Sequence, residues 1–160
     1  QLGIKRTKHS YFFAEIPLVW GWATWRKAWQ HFQYNVPDID NEVFSNLAKK
    51  PWQKVILDTF ENKIDSWAYR WIYSFFKNKY ICVYPTVSLV RNIGINYNAT
   101  HTTGQRWWYK FIKYGQIIKM SHPNKIKINY KADMLTTNVH MNLHLSFEDK
   151  MKRWFYANFS

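Results

Sequence analysis

The chain has 160 residues, of which 20% are aromatic, so it suits one domain with a hydrophobic core and argues against disorder over most of its length. Its 23 lysines and arginines against 10 aspartates and glutamates give a formal charge of +13, which favours polyanionic or phosphorylated partners. A lone cysteine, Cys82, excludes an intrachain disulfide and a cysteine-based zinc site.

The same composition bears on location. A single cysteine fits a reducing, cytoplasmic setting. No apolar run in the sequence approaches the roughly 18 residues that a bilayer-spanning helix needs. We therefore expect a cytoplasmic protein whose membrane contact, if it has one, is peripheral and at the inner face of the membrane.

The predicted elements begin with a short strand over residues 11–16, which Pro17 ends. Thr24 is a suitable N-cap for a helix that runs to about Gln33. A turn at 37–40 leads to two short helical patterns, over residues 41–49 and 51–62.

The second half opens with a helix over about 66–78, which either Asp65 or Ser66 caps. Its aromatic residues recur every four positions and predict one buried face. The segment 80–90, interrupted by Pro85, is either one broken strand or an edge strand. A long loop at 91–106, two short strands at 116–120 and 126–130, and a basic aromatic helix at 146–158 complete the prediction.

The segment from Trp20 to Trp29 is unusual because it holds four tryptophans in ten residues. Trp20 and Trp22 flank Gly21 ahead of the predicted helix, where a ring can stack on a sugar and its N–H can bond a hydroxyl. The simpler interpretation is a buried aromatic hinge. We expect Trp20 and Trp22 to face substrate and Trp25 and Trp29 to belong to the core.

Four ordered motifs resemble the C-terminal, acceptor-side half of bacterial family-2-like glycosyltransferases. They are WGWATWRKAW at 20–29, SWAYRW at 66–71, NIG at 92–94 and ATH at 99–101. The resemblance covers roughly residues 11–133, including His122-Pro123 and Asp133. It implies the helix-rich C-terminal part of an α/β GT-A fold with a small mixed sheet, in which 1–133 form the acceptor-side part and 134–160 a C-terminal extension.

The resemblance implies transfer of a sugar from a nucleotide-diphosphate donor to a surface-polysaccharide or lipid-linked glycan acceptor, with Mg²⁺ or Mn²⁺. The family's donor half carries an Asp-x-Asp motif that binds the metal. Asp38-Ile39-Asp40 has these letters but follows the tryptophan segment, so we interpret it as a surface turn. We therefore expect the chain by itself to be inactive.

Site roles follow from the same resemblance. His101 matches the family's late histidine and is the expected metal ligand, although a lone histidine is usually structural. Asp65 is the expected base that deprotonates the acceptor, or only a helix cap. Some relatives have Trp-Asp-Tyr-Gln-Trp where this chain has Ala68 and Arg70, which weakens that assignment.

Further substrate contacts are expected along the same motifs. Trp67 joins Trp20, Gly21 and Trp22 as a substrate-binding residue. The planar guanidinium of Arg70 could bind a phosphate or an acidic sugar at two points. Asn92 could orient substrate or only close the loop.

Two other functions compete with the transferase. Basic charge with many aromatics also describes modules that bind single-stranded nucleic acid, but no RNA-binding signature or alternating basic–aromatic sheet pattern is present. The third candidate is a peripheral membrane module led by the C-terminal segment.

Overall fold

The computed structural model describes residues 6–35, 38–91, 112, 114–141 and 143. Within them the chain is mixed α/β, as predicted. The elements in chain order are β1 (Tyr11–Ala14), α1 (Arg26–Trp29), α2 (Gln53–Phe60), α3 (Trp67–Lys77), β2 (Cys82–Pro85) and α4 (Tyr130–His140), and two 3₁₀ turns, Asn41–Phe44 and Lys50–Trp52, precede α2.

The sheet consists of β1 and β2, which pair antiparallel with Tyr11 opposite Pro85 and Ala14 opposite Cys82. Both strands were predicted, with longer bounds. Along the other edge of β1, Phe13 forms a single parallel bridge with Ile128. The predicted strands at 116–120 and 126–130 are therefore wrong, because this segment meets β1 only at separated points and Pro123 between them has no N–H to donate.

α3 is the centre of the fold and matches the predicted helix closely. Its residues from Arg70 to Phe76 are all buried, and it packs against α2. Ser66 lies at the N-cap position, but its side chain makes no capping hydrogen bond. The core around α3 is mostly aromatic and aliphatic and contains Ile16, Phe44, Ala48, Trp52, Ile56, Trp71, Ile72, Tyr73, Phe75 and Phe76.

The helix predicted from Thr24 to Gln33 is only the single turn α1. None of its residues is fully buried, and a helix of one turn has little to stabilise it. Beyond the turn, the Gln33 N–H donates to the Ser74 hydroxyl at 2.9 Å, which fixes the chain on α3 outside a helical path. In place of the predicted 41–49 helix the structure has only a 3₁₀ turn. In place of the predicted 51–62 helix it has a 3₁₀ turn followed by α2.

α4 was not predicted, and it crosses the domain boundary expected between 133 and 134. The Asn129 side chain caps it by accepting the Ala132 N–H at 3.0 Å. Beyond the boundary, Thr137 is fully buried and accepts the Trp52 indole N–H at 2.8 Å. α4 thus continues across position 133 and packs on the core through Thr137. The predicted loop beyond Arg91 and the helix at 146–158 lie outside the described residues.

None of the helices in the described part of the chain is long and apolar enough to cross a membrane.

Candidate functional site

The two tryptophan motifs meet in space. Trp22 stacks on Trp67 with ring centroids 5.8 Å apart, and its centroid lies 5.6 Å from that of Trp71 at the buried face of α3. Trp29 lies 5.1 Å from Trp71 and 6.5 Å from Trp67. We call Trp22, Trp29, Trp67 and Trp71 the tryptophan cluster. It joins residues that are more than forty positions apart in sequence.

One side of the cluster is open to solvent. Trp67 remains 47% exposed although it stacks on Trp22, and Trp29 is exposed to a similar extent. Trp25 is 84% exposed and lies one helical turn from Trp29, whose N–H donates to the Trp25 carbonyl at 2.9 Å. We call Trp25, Trp29 and Trp67 the exposed tryptophan surface. Trp20 is half exposed as well.

This arrangement corrects the division expected within the motif. Trp25 does not belong to the core, because α1 is too short to carry its ring back onto α3. Trp29 packs against Trp71 on one side and stays exposed on the other. Trp22, in contrast, is half-buried against the core cluster. The ring best placed to meet a ligand is therefore Trp25.

Gly21 has a structural reason to be glycine. Its backbone φ is +56°, in the left-handed region that side chains disfavour. A Cβ built on it would lie 2.8 Å from the Cβ of Val90 and closer still to both Val90 methyl groups. The glycine thus lets the tryptophan segment pack directly on the chain that leads to the NIG motif.

Replacing Gly21 with alanine is expected to lower the free energy of unfolding by about 2 kcal/mol, from the left-handed backbone and the overlap with Val90 together. The double variant Gly21→Ala/Val90→Ala removes the two closest overlaps, those with the Val90 methyl groups, and should cost less than the sum of the two single changes. Urea denaturation of all four proteins measures this coupling. Strict additivity would contradict the close approach of these two residues.

Arg70 has a structural task, which corrects its expected contact with substrate. Its side chain is buried. One guanidinium nitrogen donates to the Tyr34 carbonyl, and the other donates to the Thr59 carbonyl and the Asn62 side chain, both at 3.0 Å. The Tyr34 and Phe60 rings flank the charge at 4.8 and 5.2 Å. Its donors are directed at these partners and not at a cleft, so Arg70 fastens α3 to the neighbouring loops.

Asp65 is exposed and lies two residues before Trp67. Its carboxylate neither caps α3 nor forms a hydrogen bond or ion pair with any residue in the described ranges. The capping alternative is thus wrong for Asp65. The Asp65 carboxylate is thus exposed to solvent, two residues before the exposed Trp67.

The described residues contain no group that matches the expected metal site. Asp38 and Asp40 are exposed, and the Asp40 carboxylate accepts the Glu42 N–H at 3.0 Å as the cap of a 3₁₀ turn, which confirms the surface-turn interpretation. Over the described ranges, no three His, Cys, Asp or Glu side chains come together as metal ligands. His101 and Asn92 lie outside those ranges.

Comparisons with protein-family models, with curated proteins and with solved structures give no match to this chain.

Asp133 holds the chain that leads into the tryptophan segment, and it was noted in the sequence only as part of the resemblance. Asp133 is buried in the first turn of α4, and its carboxylate accepts the N–H groups of Glu15 at 3.1 Å and Ile16 at 3.0 Å. The Ile16 carbonyl accepts the Tyr84 hydroxyl at 2.9 Å. These bonds clamp the chain between β1 and Pro17, which leads into the tryptophan segment. Asn129 as a cap was the sequence signal that could have revealed this helix.

Two side chains beside this clamp, Cys82 and Tyr84, stay in their neutral forms. Burial raises the pKa of the Cys82 thiol to about 12, so the thiol stays protonated and donates to the Ala14 carbonyl. Burial also raises the pKa of Tyr84 well above its usual value. Cys82 is therefore no nucleophile, because nucleophilic attack requires the thiolate.

Proposed function

We propose that this chain is the acceptor-side part of a GT-A glycosyltransferase, which transfers a sugar from a nucleotide-diphosphate donor to a surface-polysaccharide or lipid-linked glycan. The observation that carries the proposal is the meeting of WGWATW and SWAYRW in one tryptophan cluster. Two motifs of the resemblance, far apart in sequence, form one surface. Trp25 and Trp67 keep their rings in water, where a ligand can reach them.

The exposed tryptophan surface has the chemistry that sugar binding requires. An indole face packs against the C–H groups of a pyranose, and the indole N–H donates to a hydroxyl. Trp67 is held from behind by Trp22, which fixes its ring plane and lowers the entropy lost on binding. The acceptor would therefore lie across Trp25, Trp29 and Trp67.

Asp65 is the residue we assign to proton removal. As the acceptor hydroxyl attacks the anomeric carbon, its proton must pass to a base. Asp65 precedes the exposed Trp67 by two residues and has no competing partner among the described residues. The donor diphosphate and its Mg²⁺ or Mn²⁺ would be bound by residues outside the described part of the chain, His101 among the candidates.

The test is a donor screen on the product of the complete reading frame that contains this chain, with release of nucleoside diphosphate as the readout. We expect one or a few sugar nucleotides to be consumed, and faster when a glycan acceptor is added. Trp25→Ala should raise the acceptor KM at least about tenfold, the loss of one well-stacked ring. Hydrolysis of the donor without acceptor should not change.

Leu47→Ala is the matched control, because Leu47 is 75% exposed and lies away from both motifs. It should leave the acceptor KM unchanged. Equal acceptor KM values for the wild type and Trp25→Ala would contradict the acceptor surface. Absence of turnover for every sugar nucleotide would contradict the transferase itself.

A further inference from the structure

A second exposed surface lies at the opposite edge of β1 from β2. Residues 118–127, which we call the basic–aliphatic loop, expose Ile118 to 96% and Ile126 to 70%, and Met120 is also exposed. Aliphatic side chains so fully in water are uncommon when they occur together. Between and beside them, three exposed lysines alternate with the apolar residues: Lys119, Lys125 and Lys127.

The loop is held on the fold by its own hydrogen bonds. The Ser10 N–H donates to the Ser121 carbonyl at 2.9 Å, and the Ser121 N–H donates to the Ser10 hydroxyl at 2.8 Å. The Tyr11 hydroxyl bonds His122 at 3.1 Å. Past the bend, the Asn129 N–H donates to the Phe13 carbonyl at 2.9 Å. The loop thus leaves and rejoins β1 at defined points.

Charge around the loop is of one sign. The sequence from Ser66 to Ala132 contains no aspartate or glutamate. The segment that the loop packs on, residues 6–14, contains none either. Lys119, Lys125 and Lys127 form no ion pair with any residue in the described ranges. The acidic residues of the described part gather instead at Glu15, at Asp133 and between residues 38 and 65. The loop therefore presents uncompensated positive charge together with exposed aliphatic groups.

We propose that the basic–aliphatic loop docks on the surface of an anionic lipid bilayer. Ile118, Met120 and Ile126 would enter the boundary between headgroups and acyl chains, and the lysines would meet lipid phosphates. This combination favours lipid over nucleic acid, because single strands are bound by stacking rings, whereas isoleucine and methionine have no flat face to offer. The inference goes beyond the proposed transferase and does not depend on it.

The experiment is co-sedimentation of the purified 160-residue chain with vesicles, without any sugar nucleotide. We expect binding to vesicles that contain phosphatidylglycerol and little binding to phosphatidylcholine alone. Lys119→Gln/Lys125→Gln/Lys127→Gln should weaken binding about a hundredfold, since each lysine near an anionic surface contributes roughly a fivefold factor. Ile118→Ser/Ile126→Ser should weaken it about tenfold or more at unchanged net charge.

Matched controls change the same chemistry elsewhere. Lys50→Gln/Lys54→Gln/Lys63→Gln removes three exposed charges beside the acidic segment, and Leu47→Ser/Leu89→Ser removes two exposed leucines. Both should bind vesicles within about twofold of the wild type, because neither lies in the loop. Circular dichroism establishes that each variant is folded.

Three outcomes would overturn the proposal. The first is vesicle binding by Ile118→Ser/Ile126→Ser as strong as that of the wild type, which would show that net charge alone accounts for binding. The second is loss of binding only in Lys150→Gln/Lys152→Gln/Arg153→Gln, which would place the contact in the C-terminal segment. The third is absence of vesicle binding alongside lysine-dependent binding to a single-stranded oligonucleotide. Failure of any donor screen would leave this result unaffected.

Discussion

Trp71→Ala is expected to lower the free energy of unfolding by about 4 kcal/mol, the usual range for emptying a buried tryptophan site. Trp71 is 2% exposed and contacts Trp22, Trp29 and Phe75. Removing it leaves a cavity beneath the tryptophan cluster. Urea denaturation followed by far-ultraviolet circular dichroism measures the change.

Trp25→Ala is the control for Trp71→Ala. It removes the same side chain from a position in water and should change the free energy of unfolding by less than about 0.5 kcal/mol. Comparing the two variants distinguishes the buried ring that supports the exposed tryptophan surface, Trp71, from an exposed ring of that surface, Trp25. Similar losses for the two variants would contradict the assignment of Trp71 to the core and Trp25 to the ligand face.

Asp133→Ala is expected to lower the free energy of unfolding by about 3 kcal/mol, because it leaves the N–H groups of Glu15 and Ile16 without their acceptor. Asp133→Asn should cost less, since one oxygen remains, and in the structure a single carboxylate oxygen accepts from both N–H groups. Urea denaturation at fixed pH compares the two. Equal costs for alanine and asparagine would contradict the role of Asp133 as an acceptor.

The pH dependence of Asp133 has a definite sign. Burial raises its pKa above the ordinary value of 3.8, the Glu15 charge acts in the same direction, and the two backbone N–H groups and Lys49 oppose this. A raised pKa in the folded state stabilises the protein fully below 3.8, and this contribution is lost as pH rises through the folded-state value. Relative to Asp133→Asn, the wild type should therefore lose stability as pH rises across that window. A gain would contradict the raised pKa.

Local sequence signals succeeded where a side chain's environment depends on its own element. The recurrence of Trp67, Trp71 and Phe75 on one face predicted α3 within about a residue at each end. The existence of both strands was also predicted, and Pro85, which was predicted to interrupt the second, is its last residue. These features follow from spacing and backbone chemistry alone.

Signals that depend on distant contacts could not be read from the sequence. Thr24 looks like a helix cap, but Trp25 holds the N-cap position and α1 ends at Trp29, after which the Gln33 N–H donates to Ser74 on α3. Arg70 looks like an anion ligand, but its partners Tyr34, Thr59 and Asn62 come together only in the fold. The sequence predicted outward rings at Trp20 and Trp22 and core rings at Trp25 and Trp29, so the exposure of Trp25 was missed.

The measurement that tests the central claim most directly is the indole N–H spectrum of the chain, labelled with ¹⁵N, during titration with oligosaccharides released from bacterial lipopolysaccharide and capsule. Tryptophan-to-phenylalanine variants assign the resonances. The proposal predicts that the resonances of Trp25 and Trp67 shift, whereas that of Trp52, which is buried and bonded to Thr137, does not. If no glycan moves any indole resonance and a single-stranded oligonucleotide moves those of Trp25 and Trp67, the surface stacks on bases and the acceptor site is contradicted.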